Sequence, residues 1–276
     1  MILPNFIFAG APKSGSSTLF EYIRQHPDVC MSKIKEPFFF DFNYEKGRKY
    51  YESLFAHYKG ERIVGEATVW YMSWPSVPAR MHELIPDAKL LFVLRNPIER
   101  AFSDYMMNLR DGYYTPQQTF DYVIRNEQKV QGLDRRVTSG GFYYRHLKRF
   151  ERYFTRKQML IVTFREMKKD IRAVERKIYS FLDIDSEFCG NVIKDRMVAP
   201  YIHSLEKLIL TSQKIPLFDL GWKKSRHFRQ LFLDFQSKKK NVISESARNY
   251  LFDLYYEQNK ILAKHLNIDL SEWESR

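Results

Sequence analysis

The sequence has 276 residues, 44% hydrophobic and 16% aromatic, a composition that supports a well-buried core and excludes intrinsic disorder. A formal net charge of +12 suggests an anionic ligand, whether nucleotide, nucleic acid, membrane or acidic glycan, although a cation-coated surface accounts for it equally well. The only cysteines, Cys30 and Cys189, lack CxxC spacing, which argues against a disulfide framework or structural zinc and leaves two thiols expected to be buried.

The first element, FIFAG at residues 6–10, is an apolar strand. A small-residue loop follows, then a helix over residues 16–25 with Leu19, Phe20 and Ile23 inward, ending before His26 and Pro27. No basic region precedes the short N-terminal apolar run and Pro4 interrupts that run, unlike a signal peptide, and no apolar run approaches the roughly 20 residues needed to cross a bilayer. A soluble, cytoplasmic protein is expected. KEPFFFDF, residues 35–42, reads as a buried extended segment, because Pro37 opposes a helix and the aromatics oppose an ordinary loop.

RIVGEATVWY, residues 62–71, supplies a strand and its exit loop, and a helix is expected near residues 77–84. KLLFVLR, residues 89–95, is the unbroken apolar run of a parallel strand buried on both faces. Asn96 can cap the next helix, with Pro97 in its first turn and Glu99 reaching back to complete a capping box. After Gly140 and Gly141 come a helix near residues 143–154, a strand at 159–164 and a helix over 170–182 with Ile171, Val174, Ile178 and Phe181 at helical spacing. Residues 190–241 are less regular and carry basic clusters at 223–226 and 238–240. A last helix over 244–266 aligns Ala247, Tyr250, Leu251, Leu254, Tyr255, Ile261 and Leu262 as a core stripe. The alternation predicts an α/β fold, a central parallel sheet flanked by helices, with a P-loop-like strand, loop and helix at its start.

That loop holds the chemical information. Small residues over 11–18 let backbone amides converge, the helix adds its positive end, and Lys13, Ser14, Ser16, Ser17 and Thr18 add donors for an anion. A plain βα turn with a solvated lysine is the bland alternative. An ATP-binding loop reads GxxxxGK followed by Ser or Thr, yet here Lys13 precedes Gly15 and Ser16 stands in the lysine's place. After the apolar strand a magnesium-dependent P-loop enzyme needs an acid, whereas this chain has Arg95. Strand ends share one crevice in such folds, so Arg95 and the Lys13 loop can face a ligand with two anionic groups, with Ser103 eight residues further on as a supplement. Taken singly, Arg95 reads equally as a salt-bridged surface residue and Ser103 as a solvated helix serine.

PKSGSSTL, HP, KEPFFFD, GEATVWY and LRNPIERAFSDY, in that order, resemble the sulfotransferase family, in particular its heparan sulfate and bacterial carbohydrate-type branch. The likeness is strong over residues 6–110 and weaker through GFYYRHLKRF and MLIVTFREM to Trp273. It implies a single sulfotransferase domain over residues 1–276 that uses PAPS (3′-phosphoadenosine 5′-phosphosulfate) without a metal. It assigns Lys13, with Ser14, Gly15, Ser16, Ser17 and Thr18, to the 5′-phosphosulfate, and Arg95 with Ser103 to the 3′-phosphate. Lys224 and Arg226 are candidates to share that last duty. Glu36 matches the family's catalytic base, which apolar Pro37 and Phe38 would make more basic. Without the family pattern it reads as an ion-pair partner of Lys33 or Lys35. His26, His57, His82 and His146 are alternative bases. Some heparan-modifying members have His where Phe38 stands and Lys where Ala67 stands; Asp41, Glu66 and Tyr71 are retained. The more aromatic cleft suits a sugar face, a lipid-linked saccharide or a small hydroxylated metabolite.

Two other classes remain. A P-loop-type nucleotide kinase would need Lys after Gly15 and an acid at position 95. A basic nucleic-acid-binding protein would use the clusters at 223–226 and 238–240, but it would need aromatic-interleaved basic stretches.

Overall fold

Five parallel strands are laid down in the order β2-β3-β1-β4-β5. They are β1 (Phe6–Gly10), β2 (Val29–Met31), β3 (Ile63–Ala67), β4 (Lys89–Leu94) and β5 (Met159–Thr163). This computed structural model describes residues 2–115, 117–127, 137–192 and 243–274. The strands read as apolar runs because both sheet faces are covered. Ile7, Ala9, Leu90, Phe92 and Ile161 point into one core, and Phe6, Phe8, Leu91, Val93 and Val162 into the other. Burying one such side chain contributes about 1.5 to 3 kcal/mol, so two full layers account for much of the stability.

The helices follow from the same patterning. On one face lie α1 (Ser16–Ile23) and, further along the chain, α8 (Ile171–Leu182). The opposite face is covered by α3 (Val77–Leu84), α6 (Tyr143–Phe150) and the end of the last helix, α9 (Glu245–Leu266). The first half of α9 packs in a third cluster with α4 (Pro97–Asp111) and α5 (Phe120–Arg125). Short helices α2 (Gly47–Ser53) and α7 (Phe164–Lys169) complete the described set.

Asn96 caps α4 as expected, accepting from the amides of Ile98 at 2.9 Å and Glu99 at 3.4 Å. Glu99 does not complete a capping box, because its carboxylate is bound to Arg95. Residues 35–42 depart from the expected extended segment: Glu36 and Phe38 have φ of 59° and 52°, which folds the segment into a turn that buries Phe39 and Phe40. On α9, Ile261 is 41% exposed, since the buried stripe continues through Phe252, Asn259 and Leu262 instead. On α8, Ile171 and Phe181 are only partly buried and Tyr179 and Leu182 take the inner positions. Cys30 is buried but Cys189 is exposed, outside the packed sheet.

Candidate active site

The strand order reverses at β1, whose neighbours are β3 on one side and β4 on the other, and the crevice at such a point is where ligands bind in open α/β sheets. β1 shifts register between Phe8 and Gly10 as it leaves the sheet. Gly10 is required there: a Cβ would lie 2.5 Å from the Cβ of Met72. Lys13 and Gly15 then take left-handed conformations, φ 67° and 84°, and α1 begins. No side chain caps α1, so its first-turn amides face the cleft together with its positive end.

The cleft has a volume of about 790 Å³. Lys13, Gly15, Ser16, Ser17, Thr18, Glu36, Arg95 and Ser103 all line it, which brings together residues nearly a hundred positions apart. Ser14 does not: it is fully buried, with its hydroxyl on the Tyr143 side of the loop. Burial pushes the Lys13 ammonium below its ordinary pKa, while buried Asp104 opposes that shift. Arg95 donates from Nη1 to the Lys13 carbonyl at 3.1 Å, so the cation after β4 also braces the loop after β1. Lys224 and Arg226 lie outside the described residues, as do the clusters at 223–226 and 238–240.

Glu36 sits in the turn after β2, and its strained backbone is held by its surroundings. Its amide donates to the Ala67 carbonyl at 2.8 Å. The Tyr71 hydroxyl accepts from the amides of Phe39 at 2.8 Å and Phe40 at 3.2 Å and donates to Glu66 at 2.8 Å. Glu66 is fully buried, also accepts from Tyr51 and Thr68, and is pushed up to about 7 by its burial. Asp41 is pushed up to about 6, again mainly by burial. The Glu36 side chain is not enclosed by the aromatics: it is 25% exposed and 3.5 Å from the ammonium of Lys35, so the lysine pairing and the cleft position hold together.

None of the four histidines lines the cleft. His26 is bonded to the Asp185 carbonyl, His57 to that of Met31, and His82 lies tilted against the Tyr153 ring. His146 is bonded to Ser139 and held down to about 3 by burial. Sequence reasoning missed Lys35, Trp70, Arg110, Phe164 and Lys168 in the wall. Phe164 stands where β5 ends, the same strand-end rule that singled out Arg95. Arg110 follows Ser103 at helical spacing, seven residues on. Lys35 ties the turn after β2 to the first turn of α1 by donating to Ser17 Oγ at 3.1 Å, a contact that no local pattern encodes.

The sheet order, an uncapped helix at the switch point and cations after two adjacent strands, Lys13 after β1 and Arg95 after β4, mark an α/β protein whose cleft is suited to an anionic ligand. A family model described as "Sulfotransferase domain" matches residues 3–203, and the chain belongs to the sulfotransferase family. It is 31% identical over 198 residues to human heparan sulfate glucosamine 3-O-sulfotransferase 6, covering 69% of this chain and 57% of that one. The human 3B1 enzyme of the same name is 32% identical over 184 residues, 66% of this chain and 46% of the relative. The chain thus matches little more than half the length of these relatives, or less. A sulfotransferase from Alicyclobacillus acidocaldarius superposes with a TM-score of 0.76 at 25% identity, covering 100% of both chains. Mouse sulfotransferase SULT7A1 complexed with PAP shares the fold, with a TM-score of 0.53 and 16% identity over 96% of this chain and 87% of the other.

Proposed function

We propose that the protein is a PAPS-dependent O-sulfotransferase, folded as one domain over residues 1–276, that moves the sulfuryl group to a hydroxyl of a carbohydrate or small hydroxylated metabolite. The carrying observation is that Lys13, the open first turn of α1, Arg95 and Ser103 line the same cleft as Glu36. The donor set fits a nucleotide with phosphosulfate at one end and phosphate at the other, because cations and hydroxyls occur at both places. Glu36 accepts the acceptor's proton as its oxygen bonds to sulfur and the sulfur–oxygen bond to the phosphate breaks. Lys13 and the α1 amides stabilise the charge left on PAP, so the in-line transfer calls for no metal. A kinase would need an acid where Arg95 stands.

On the acceptor side, aromatic residues lead outward from Glu36. Phe38 meets Phe42 at 5.8 Å between centroids and Phe42 meets Trp74 at 5.1 Å. Phe42 is 61% exposed. Such a surface suits a sugar face or an apolar hydroxylated molecule better than a densely charged chain. A cytoplasmic location belongs to the same proposal, supported by two unpaired cysteines. The test has two parts. PAP should raise the melting temperature with chelator present, and labelled PAPS incubated with fractionated source extract should yield a labelled hydroxyl ester. No shift with saturating PAP, or a shift abolished by chelator, refutes the reading.

A further inference from the structure

Arg95 already has an anion. Its Nε and Nη2 donate to one oxygen of Glu99 at 3.3 and 3.2 Å, while Nη1 donates to the Lys13 carbonyl. Phe164 supports the guanidinium at 4.9 Å from its ring centroid. Three of the group's five donors are therefore committed, and the others remain for a ligand. The Glu99 side chain is 49% exposed and that of Arg95 22%, so the carboxylate lies at the surface rather than in the core, in a smaller neighbouring depression that shares Arg95, Phe164 and Lys168 with the cleft. Glu99 is also in the first turn of α4, where its charge is favoured by the helix end.

We propose that Glu99 is a specificity-determining residue of the donor site. Its carboxylate occupies Arg95 when the donor is absent and weakens the grip on the 3′-phosphate when the donor is present. This rests on the reading of Arg95 as the 3′-phosphate contact. Two effects oppose each other. Holding Arg95 in place favours binding, but an exposed pair four residues apart on a helix orders its partner only weakly. An incoming phosphate, by contrast, meets a nearly neutral pair instead of a free cation, and a like charge lies just across the guanidinium. The charge effect wins. PAPS and PAP carry the same 3′-phosphate, so the penalty applies to both; it speeds product departure without altering the chemical step.

Glu99→Gln isolates the charge, since the amide oxygen still accepts from Arg95 and the volume is unchanged. Calorimetry would compare PAP with adenosine 5′-monophosphate, which lacks the 3′-phosphate, on wild type, Glu99→Gln and Arg95→Ala. Glu99→Gln should bind PAP about two- to fivefold more tightly, with the monophosphate unchanged. The gain should shrink as salt rises. Unchanged or weaker PAP binding, or equal tightening of the monophosphate, overturns the proposal. Arg95→Ala tests the underlying reading: equal weakening of both ligands removes Arg95 from the 3′-phosphate site. Selective weakening of PAP there, without tightening in Glu99→Gln, leaves that reading intact and sinks the role of Glu99 alone. The ratio of the two affinities is internal to each variant, so a loss of folded protein does not move it.

Discussion

Replacing Glu66 with Gln should remove a pH dependence from stability, and the size of the effect follows from burial. Glu66 is fully buried, and its carboxyl is pushed from an ordinary 4.5 up to about 7. The folded state therefore holds a proton that the unfolded chain releases above pH 4.5. Stability from this group is fully present below 4.5 and is lost as pH rises to about 7, then stays level. The interval corresponds to about 3 kcal/mol. Asp41 titrates in the same range and feels Glu66, so part of the loss is shared with it. Gln keeps the volume, its single amide oxygen still accepts from Tyr51 and Tyr71, which share one oxygen of Glu66, its amide nitrogen becomes a donor toward Thr68 Oγ1, and it has no titratable proton to lose. Urea unfolding of both proteins at several pH values between 4.5 and 8 gives the difference in stability, in which distant groups cancel. Wild type should lose ground to Glu66→Gln by roughly 2 to 3 kcal/mol across that range. A difference that does not change with pH would refute the reasoning.

Glu36→Gln should lower kcat by at least about 100-fold, the low end for a positioned general base, while PAP affinity stays within about 1 kcal/mol of wild type. Turnover on the true acceptor and calorimetry on one preparation would check both, and retention of more than about a tenth of kcat with transfer rate-limiting would remove Glu36 from the base role. Arg95→Ala should weaken PAPS by about 1.5 to 3 kcal/mol but adenosine 5′-phosphosulfate much less, measured by competition against PAP.

Four of the five strands were legible from their stretches of apolar and β-branched residues. β2 escaped because three residues, Val29–Met31, form no pattern of their own; pairing with β3 makes them a strand. The loop after β1 and Arg95 could be found from strand ends alone. Glu36 could not, since its place in the cleft depends on a turn with φ 59° that nothing local demands and that Glu66 and Tyr71 impose from β3 and beyond. Arg95 was read as either a ligand contact or a salt-bridged residue, and it is placed to be both: it lines the cleft and pairs with Glu99. Spacing along one chain cannot show that a single side chain serves two partners.

The turn carrying Glu36 has no regular secondary structure, yet its amides are occupied like those of a sheet. Glu36, Phe38, Phe39, Phe40, Phe42 and Asn43 donate to Ala67, Thr68, Tyr71 twice, Asp41 and Phe38, at 2.7 to 3.4 Å. Deuterium should therefore enter this loop slowly, at rates closer to those of the strands than of surface turns, because several of these bonds must open together. A carboxylate on so stiff a mount cannot adjust to different acceptors. Under the proposed function, a change of acceptor then has to come from exposed side chains outside that network, such as Ile34 and Phe42 at 55% and 61% exposure, which can be exchanged without disturbing the amide contacts that hold Glu36 in place.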